Sequence, residues 1–291
     1  MICCTLWGSA FPCIKIGYRM LEIAAADTAS QILYAGYRFT LAGVLTIVLG
    51  SVLQRKILLP KRSAIGKIGL LSLLQTVLQY LFFYIGLAHT TGVKASIIEA
   101  VSTFVAILVA GYLFHQETVT SRKMLGCLIG FAGVVLVNVA GSGMDFHFSP
   151  AGDGCILLST VAYAFSSVCM KRFSQKEDPV MLSGYQFILG GIVMIACGAA
   201  MGGHLKAFTV SAAALLIYMA MISAVAYSLW GMLLKYNPVS KVTVFGFMNP
   251  VIGVILSALL LDETEALGVS SVLALGLVCV GIYIVNAKGK D

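Results

Sequence analysis

The chain has 291 residues, of which 59% are hydrophobic and only 11% are charged, and its mean hydropathy is +0.97. Soluble domains carry about 25% charged residues, so a water-soluble core cannot bury this much apolar surface and lipid must be the solvent. The net charge of +7 could indicate nucleic-acid binding. The basic residues instead lie where membrane proteins place their topology signals, so we expect no nucleic acid as a partner.

Ten apolar segments are long enough to cross a bilayer, for which a helix needs about 20 residues. The links between them are short, so we predict an all-α membrane protein with ten transmembrane helices and no soluble domain. The first segment lacks the basic region and cleavage site of a signal peptide. We predict that it is retained, on a chain that starts at Met1 or further upstream. The segments are about 2–21, 32–53, 66–87, 94–114, 123–141, 152–171, 180–201, 210–233, 239–261 and 267–286.

Lysine and arginine are divided unevenly between the two sides of this bundle. If the N-terminus is cytoplasmic, the cytoplasmic connections hold fourteen of the 19 basic residues and the outer connections hold three, while Lys15 and Arg38 lie within spans. Cytoplasmic loops are enriched in Lys and Arg, so we predict a multi-pass protein of the plasma membrane with both termini cytoplasmic. The fourteen are Arg55, Lys56, Lys61, Arg62, Lys67, Arg122, Lys123, Lys171, Arg172, Lys176, Lys235, Lys241, Lys288 and Lys290; the three are Arg19, Lys94 and Lys206.

Two stretches of the chain repeat one another. GYRFTLAGVLTIVLG at 36–50 and GYQFILGGIVMIACG at 184–198 share seven of fifteen positions, but Arg38 has become Gln186. WGSAFPCIK, which starts at Trp7, aligns in the same way with YAFSSVCMK, which starts at Tyr163. The repeat indicates how the molecule is built, and the change at Arg38 points to a position where the halves differ in role.

Each half of the duplication contains five spans. We predict a first repeat at 1–141 and a second at 152–286, and Glu117 after span four matches Glu263 after span nine. Because five is odd, the second repeat crosses the membrane in the opposite sense to the first. Inverted repeats of this kind are typical of secondary transporters, in which two halves exchange conformations around a central site.

Three motifs resemble the EamA-type members of the drug/metabolite transporter superfamily. They are LWGSAF in span one, FYIGLAHTTGVKAS between spans three and four, and MNPVIGVILSALLLDE in span nine. The resemblance covers nearly the whole chain in two copies. It implies export or exchange of small metabolites, often amino acids, through a cavity lined by aromatic and polar residues of both halves, and it does not identify a substrate.

Three ionisable residues lie within spans, roughly 8 to 10 Å below the outer surface at 1.5 Å of rise per residue. They are Lys15, Arg38 and Glu99. Charges at this depth are costly unless they are paired or hydrated. One interpretation is a structural Arg38–Glu99 ion pair with Lys15 extending toward the surface. The other is a substrate or gating site on the outer side, in which a substrate carboxylate competes for Arg38.

Further polar and aromatic residues inside spans complete the predicted substrate site. For each of them, packing or anchoring at the membrane interface is the alternative. Trp7 and Tyr163 are favoured because they occupy equivalent positions in the two repeats. The full set of candidate substrate-binding residues is Trp7, Arg38, Gln79, Tyr84, Glu99, Tyr163, Gln186, Trp230 and Asn249.

Other motifs favour structure over chemistry. Gly126 and Gly130 form GxxxG in span five, which lets two helices approach closely. Their partner is either another span or a second copy of the chain, so a homodimer is one of two alternatives. The eight cysteines are scattered and lack zinc-site spacing, so we expect no metal. No GxxxxGK[ST] loop is present, so we expect no nucleotide or other cofactor.

We therefore predict a secondary transporter that exports small neutral or zwitterionic metabolites, such as amino acids, by alternating access. A facilitative channel and a non-transporting membrane protein are the alternatives. An intramembrane enzyme is the weakest alternative, because the four histidines lie in loops or at span ends and no HExxH is present. The expected partners are a small-molecule substrate and membrane lipid.

Overall fold

The computed structural model describes residues 1–90, 92–139, 148–261 and 269–287. All regular structure in this part is helical, and the helices follow the ten predicted segments closely. Glu263, the expected counterpart of Glu117, lies outside the described residues. The helices of the first half are α1 (Ile2–Met20), α2 (Thr28–Leu53), α3 (Arg62–Leu71), α4 (Gln79–Leu87), α5 (Gly92–Ala100), α6 (Ser102–Leu108) and α7 (Ser121–Val139). Those of the second are α8 (Cys155–Ser174), α9 (Pro179–Ala200), α10 (Val210–Tyr236), α11 (Val239–Thr243), α12 (Met248–Leu261) and α13 (Val269–Asn286).

Several spans are composed of more than one helical segment. A π-helical stretch, Ser72–Leu78, joins α3 to α4 as the third span. α5, α6 and the π-helical Val109–Leu113 form the fourth, and a 3₁₀ turn, Val244–Phe247, joins α11 to α12 as the ninth. By length and composition, seven described spans can cross a membrane. They are Thr28–Leu53, Arg62–Leu87, Lys94–Leu113, Ser121–Val139, Pro150–Ser174, Pro179–Ala200 and Val210–Tyr236.

Short connections make successive spans run in opposite directions, which gives the bundle two ends. We call the end where α1 begins and α13 ends the termini face, and the other end the opposite face. Aspartate caps start helices at both ends. Asp27 at the opposite face accepts the Ser30 N–H at 3.0 Å, which lowers the pKa of Asp27. Asp178 at the termini face accepts the Val180 and Met181 N–H groups, both at 2.9 Å.

The repeated glycines lie where α2 and α9 cross. A Cβ on Gly43 would lie 2.6 Å from the carbonyl oxygen of Gly184, and a Cβ on Gly191 would lie 2.9 Å from that of Gly36. Gly36 and Gly43 are the repeat counterparts of Gly184 and Gly191, so exchanging the halves turns one contact into the other. The two equivalent helices thus pack antiparallel about a pseudo-two-fold axis, as an inverted repeat requires.

The GxxxG motif of α7 packs against α13 of the same chain. A Cβ on Gly126 would lie 2.9 Å from the Gly281 carbonyl oxygen, and a Cβ on Gly133 would lie 2.7 Å from that of Ala274. On Gly130, a Cβ would meet the Phe247 ring at 2.6 Å. Of the two alternatives for the GxxxG partner, the structure shows the one within the chain, so this motif gives no support to a homodimer.

The fourth and ninth spans are interrupted at equivalent depths. Pro250 lacks an N–H, and its ring crowds the carbonyl four residues earlier, which explains the 3₁₀ turn that ends at Phe247. In the fourth span, Val101 separates α5 from α6 and donates its N–H to the Ile98 carbonyl at 3.0 Å. Discontinuous helices in corresponding positions of two repeats are a frequent location of transporter substrate sites.

Candidate functional site

A cavity of about 180 Å³ lies between the two halves. Residues from α1, α2, α8 and α10 and from the third, fourth and ninth spans form its wall. The wall therefore includes both interrupted spans. Its residues are Trp7, Ala10, Ile14, Arg38, Gln79, Tyr80, Phe83, Tyr84, Ser96, Glu99, Ala100, Ser102, Thr103, Ser159, Thr160, Tyr163, Ile222, Ser223, Tyr227, Thr243, Gly246, Asn249 and Pro250.

The cavity extends from near the opposite face into the middle of the bundle. Tyr84 lies in the last turn before Leu87, where the third span ends at that face. Ser96 lies about one turn after Gly92, where the fourth span begins there. Toward the termini face, the wall extends to Trp7 in the second turn of α1 and to Thr243 at the end of α11.

Among the described residues, Arg38 is the single basic residue of the wall, and it is 5% exposed. Its guanidinium carbon lies 4.3 Å from the centroid of the Phe39 ring and 5.8 Å from that of Tyr80. These aromatic faces offset part of the cost of burying the cation. Within the described residues the guanidinium forms no ion pair, and its Nε has no hydrogen-bond partner.

Glu99 lines the same cavity from the fourth span but does not reach Arg38. The predicted Arg38–Glu99 ion pair is therefore wrong for this conformation, because the two side chains, from α2 and the fourth span, do not come within ion-pair distance of each other. Lys15 is exposed on α1 and is absent from the wall, so the expected cluster of three charges does not form. One cation and one carboxylate remain in the cavity, each accessible to a bound molecule.

Three other buried wall atoms have no hydrogen-bond partner in the described part of the protein. They are the indole nitrogen of Trp7, the amide oxygen of Gln79 and the amide oxygen of Asn249. Buried polar atoms are normally satisfied, and unsatisfied ones call for an explanation. With Arg38, this wall presents two donors and two acceptors that a polar molecule in the cavity can engage.

Aromatic rings from both halves surround Tyr227, which lines the cavity. Tyr80 and Tyr227 share a hydroxyl–hydroxyl bond of 2.8 Å that links the third span to α10. Trp7 packs edge-on against Tyr227, with ring centroids 5.0 Å apart, and Phe187 does so at 4.9 Å. The Tyr80–Tyr227 bond joins the two halves, so it would have to break or move if the halves separated here.

Seven of the nine predicted site residues line this cavity, and Gln186 and Trp230 do not. Gln186 is fully buried and accepts the Thr76 hydroxyl at 2.7 Å, while it donates to Gln75 at 3.2 Å. Its amide is thus satisfied by the third span, which makes its role one of packing between helices. Trp230 lines a separate pocket at the termini face. The seven are Trp7, Arg38, Gln79, Tyr84, Glu99, Tyr163 and Asn249.

Sequence reasoning missed the hydroxyl groups of the wall. Thr103 donates to the Thr243 carbonyl at 3.1 Å, and Thr160 donates to the Ile98 carbonyl at 3.3 Å. Both bonds satisfy carbonyls close to the interruptions of the two broken spans. The available signal was polar residues at helical spacing, since Ser96, Glu99 and Thr103 recur every three or four positions.

No group of three or more His, Cys, Asp or Glu side chains that could hold a metal ion occurs among the described residues. The polar chemistry of the wall is therefore that of one guanidinium, one carboxylate, amides, hydroxyls and an indole. Such groups suit reversible binding of a small polar molecule in a mostly apolar pocket.

Comparison with known proteins places this architecture among membrane transporters. A protein of Archaeoglobus fulgidus named as an uncharacterized transporter is 29% identical over 293 residues, which cover 98% of this chain and 96% of its own. The uncharacterized inner membrane transporter YedA of Escherichia coli is 28% identical over 295 residues, covering 97% and 90%. A solved crystal structure with 16% identity superimposes with a TM-score of 0.77 over 98% of this chain and 94% of that one, which supports the fold alone.

The duplicated helical bundle with a cavity between its halves thus defines a multi-pass membrane transporter. The model of the EamA-like transporter family matches the chain twice, at residues 1–139 and 150–287. The chain therefore belongs to the EamA-like transporter family, in the drug/metabolite transporter superfamily, and it is not an enzyme. The resemblance seen in the three sequence motifs is confirmed.

Proposed function

We propose that this transporter exports small zwitterionic metabolites, such as amino acids, by alternating access. The observation that carries the proposal is that Arg38 and Glu99 line one cavity without pairing with each other. A zwitterion offers a carboxylate to the guanidinium and an ammonium to the carboxylate. A neutral solute would leave both Arg38 and Glu99 without an ionic partner. A solute with a single charge would pair with one of them and leave the other unpaired.

The geometry of the recognition groups supports a carboxylate at Arg38. The planar guanidinium can bind both oxygens of a carboxylate through two parallel N–H bonds. The unpartnered Trp7 N–H offers another donor, and the Gln79 and Asn249 oxygens are acceptors for an ammonium. Aromatic faces nearby also attract an ammonium group.

Contacts at the termini face support a conformation that is closed on that side. Glu117 accepts the Ser240 N–H at 2.8 Å and pairs with Lys123 at 2.7 Å, so the fourth and ninth spans are joined there. Gln116 donates to the Val168 carbonyl at 3.3 Å and connects α8 to the same region. In the proposed cycle these contacts open when the exchange of repeat conformations closes the opposite face.

The proposed location is the plasma membrane, with both termini in the cytoplasm. The distribution of basic residues supports this orientation. The related protein of Escherichia coli is named as an inner membrane transporter. In this orientation the cavity described here is nearer the outside, and export would load substrate from the termini face.

Counterflow in proteoliposomes tests the proposal. Vesicles preloaded with one unlabelled L-amino acid at a time should accumulate the radiolabelled form transiently and saturably, and matching amino-acid amides, which lack the carboxylate, should compete weakly. A channel gives no counterflow, because it does not couple entry of one molecule to exit of another. If no amino acid shows counterflow, or if amides compete equally well, the proposed substrate class is wrong.

A further inference from the structure

A second cavity, of about 200 Å³, lies at the termini face. Its wall comes from the start of α1, the end of α10, the ninth span and the end of α13. We call it the termini chamber. Its residues are Met1, Cys3, Cys4, Trp230, Leu233, Asn237, Lys241, Val242, Phe245 and Asn286.

Two tryptophans separate the termini chamber from the central cavity. Trp7 lines the central cavity and Trp230 lines the chamber. Their rings pack edge to face, with centroids 4.9 Å apart and planes at 64°. A solute that passes from one cavity to the other by this route must displace this pair.

Lys241 gives the chamber a positive charge that no described side chain of its wall compensates. It is half-buried and forms no ion pair with any described residue. Glu117, which contacts the neighbouring Ser240, does not line the chamber and is already engaged by Ser240 and Lys123. Lys171 adds a further cation close by, with its ammonium on the Asn237 carbonyl oxygen and, at 3.1 Å, on that of Leu234. The net charge of the described residues around the chamber is therefore positive, which favours binding of an anion.

The polar groups around Lys241 are of the same types as those in the central cavity: a cation, an indole N–H and amide oxygens. Trp230 is only 3% exposed, and its indole N–H has no partner in the described part of the chain. Asn237 and Asn286 donate their amide N–H groups to Leu233 and Ile282, at 2.9 and 3.0 Å. Their amide oxygens are thus left as acceptors beside a cation and a donor.

We propose that the termini chamber is a second substrate station, in which Lys241 and the Trp230 N–H bind the carboxylate of a zwitterion before or after it occupies the central cavity. This inference rests on the proposed function, since it assigns the same substrate class to a second place on the path. The Trp7–Trp230 contact is the partition between the two stations.

The chain has two tryptophans, and they are the two partition residues, so intrinsic fluorescence reports on each station separately. In the purified full-length Trp7→Phe variant, Trp230 is the sole reporter. A mixture of non-aromatic L-amino acids should change its emission saturably, and their amides should not. Adding Lys241→Gln to this variant should weaken its apparent affinity for amino acids about tenfold or more, because a hydrogen bond to a charged group contributes on that scale.

Lys235→Gln is the matched control, because Lys235 is a cation at the end of α10 near the same face that does not line the chamber. It should leave the affinity unchanged. A Trp230 emission that ignores amino acids, that responds equally to amides, or that loses affinity equally with Lys235→Gln overturns the second station. A response to phosphatidylglycerol in place of amino acids would make the chamber a lipid headgroup site and overturns it too.

The two proposals fail in distinguishable ways. If the parent protein shows amino-acid counterflow while the Trp230 emission of the Trp7→Phe variant fails these criteria, only the second station is contradicted. A parent protein without counterflow contradicts the proposed function, and the assignment of the chamber to a transport path falls with it.

Discussion

At the scale of single residues, Arg38 and Gln186 show how a shared frame acquires different roles. Both occupy the third position of the repeated GY-x-F motif. The amide of Gln186 is satisfied by Gln75 and Thr76, whereas the guanidinium of Arg38 faces a cavity without an anionic partner. A buried charge without a partner lowers stability, so its presence in only one repeat favours a functional role over packing.

Arg38→Lys should raise the KM for amino-acid counterflow about tenfold or more while the protein level stays near that of the parent. Lysine keeps the charge but cannot form the two-pronged bond, and a hydrogen bond to a charged group contributes about 1.5 to 3 kcal/mol. Counterflow at graded substrate concentrations measures the KM, and membrane immunoblots measure the protein level.

Gln186→Leu is the matched control for that variant. It leaves Gln75 and Thr76 without their partner, so it should lower the melting temperature of the purified protein and change the KM little. An unchanged KM in Arg38→Lys, or a KM that rises as much in Gln186→Leu, would show that Arg38 does not recognise the substrate.

The site could be predicted only in part from single residues. Trp7, Gln79 and Asn249 were recognisable because polar or aromatic groups stand out in apolar spans, and they line the cavity. Gln186 stands out equally, yet it points to a neighbouring helix, and a sequence does not show toward which neighbour a helical position is turned. The Arg38–Glu99 pair failed for the same reason, because equal depth does not establish proximity around the bundle.

At the scale of helices, the hydropathy of the sequence predicts the ten spans. The sequence predicts an interruption of a span only where a proline is present. Pro250 predicts a break in the ninth span, and a 3₁₀ turn precedes it. The fourth span breaks at Val101 without proline or an adjacent glycine. Its break coincides with the crossing of the two spans, where Thr103 binds the Thr243 carbonyl. Tertiary contacts of this kind leave no local signal.

The close approach of α2 and α9 predicts different outcomes for two glycine substitutions. Gly43→Ala should lower stability by about 1 to 3 kcal/mol, since its Cβ would lie 2.6 Å from the Gly184 carbonyl oxygen and the Ile188 nitrogen, and backbone atoms cannot turn aside. Gly69→Ala in α3 meets nothing within 4 Å. It should leave stability unchanged or raise it by up to about 1 kcal/mol through helix propensity.

Thermal unfolding of the purified variants in one detergent measures this difference. Gly43→Ala should melt below the parent and Gly69→Ala at or above it. Equal melting temperatures for the two variants would mean that the α2–α9 contact is not the tight interface that the repeated glycines indicate.

At the scale of the whole molecule, the duplication makes two equivalent connections lie on opposite sides of the membrane. The α1–α2 connection, which contains Ala26, is at the opposite face, and its repeat counterpart, the α8–α9 connection with Lys176, is at the termini face. Both positions are exposed. Because the two halves are inverted relative to each other, exchanging their conformations also exchanges the side of the membrane to which the central site is open.

The orientation is tested by single cysteines at these equivalent positions. With the termini in the cytoplasm, a membrane-impermeant maleimide should label Ala26→Cys in intact cells and Lys176→Cys only in inside-out vesicles. Ala207→Cys, an exposed opposite-face position between α9 and α10, is the control and should behave like Ala26→Cys. The parent protein sets the background, since it already contains eight cysteines. The reverse pattern would mean that the molecule is inverted in the membrane and that the central cavity lies nearer the cytoplasm. The termini chamber would then face the outside. Export would in that case load substrate through the central cavity. Labelling of Ala26→Cys and Lys176→Cys from the same side would contradict the inverted repeat, because an odd number of spans in each half forbids it.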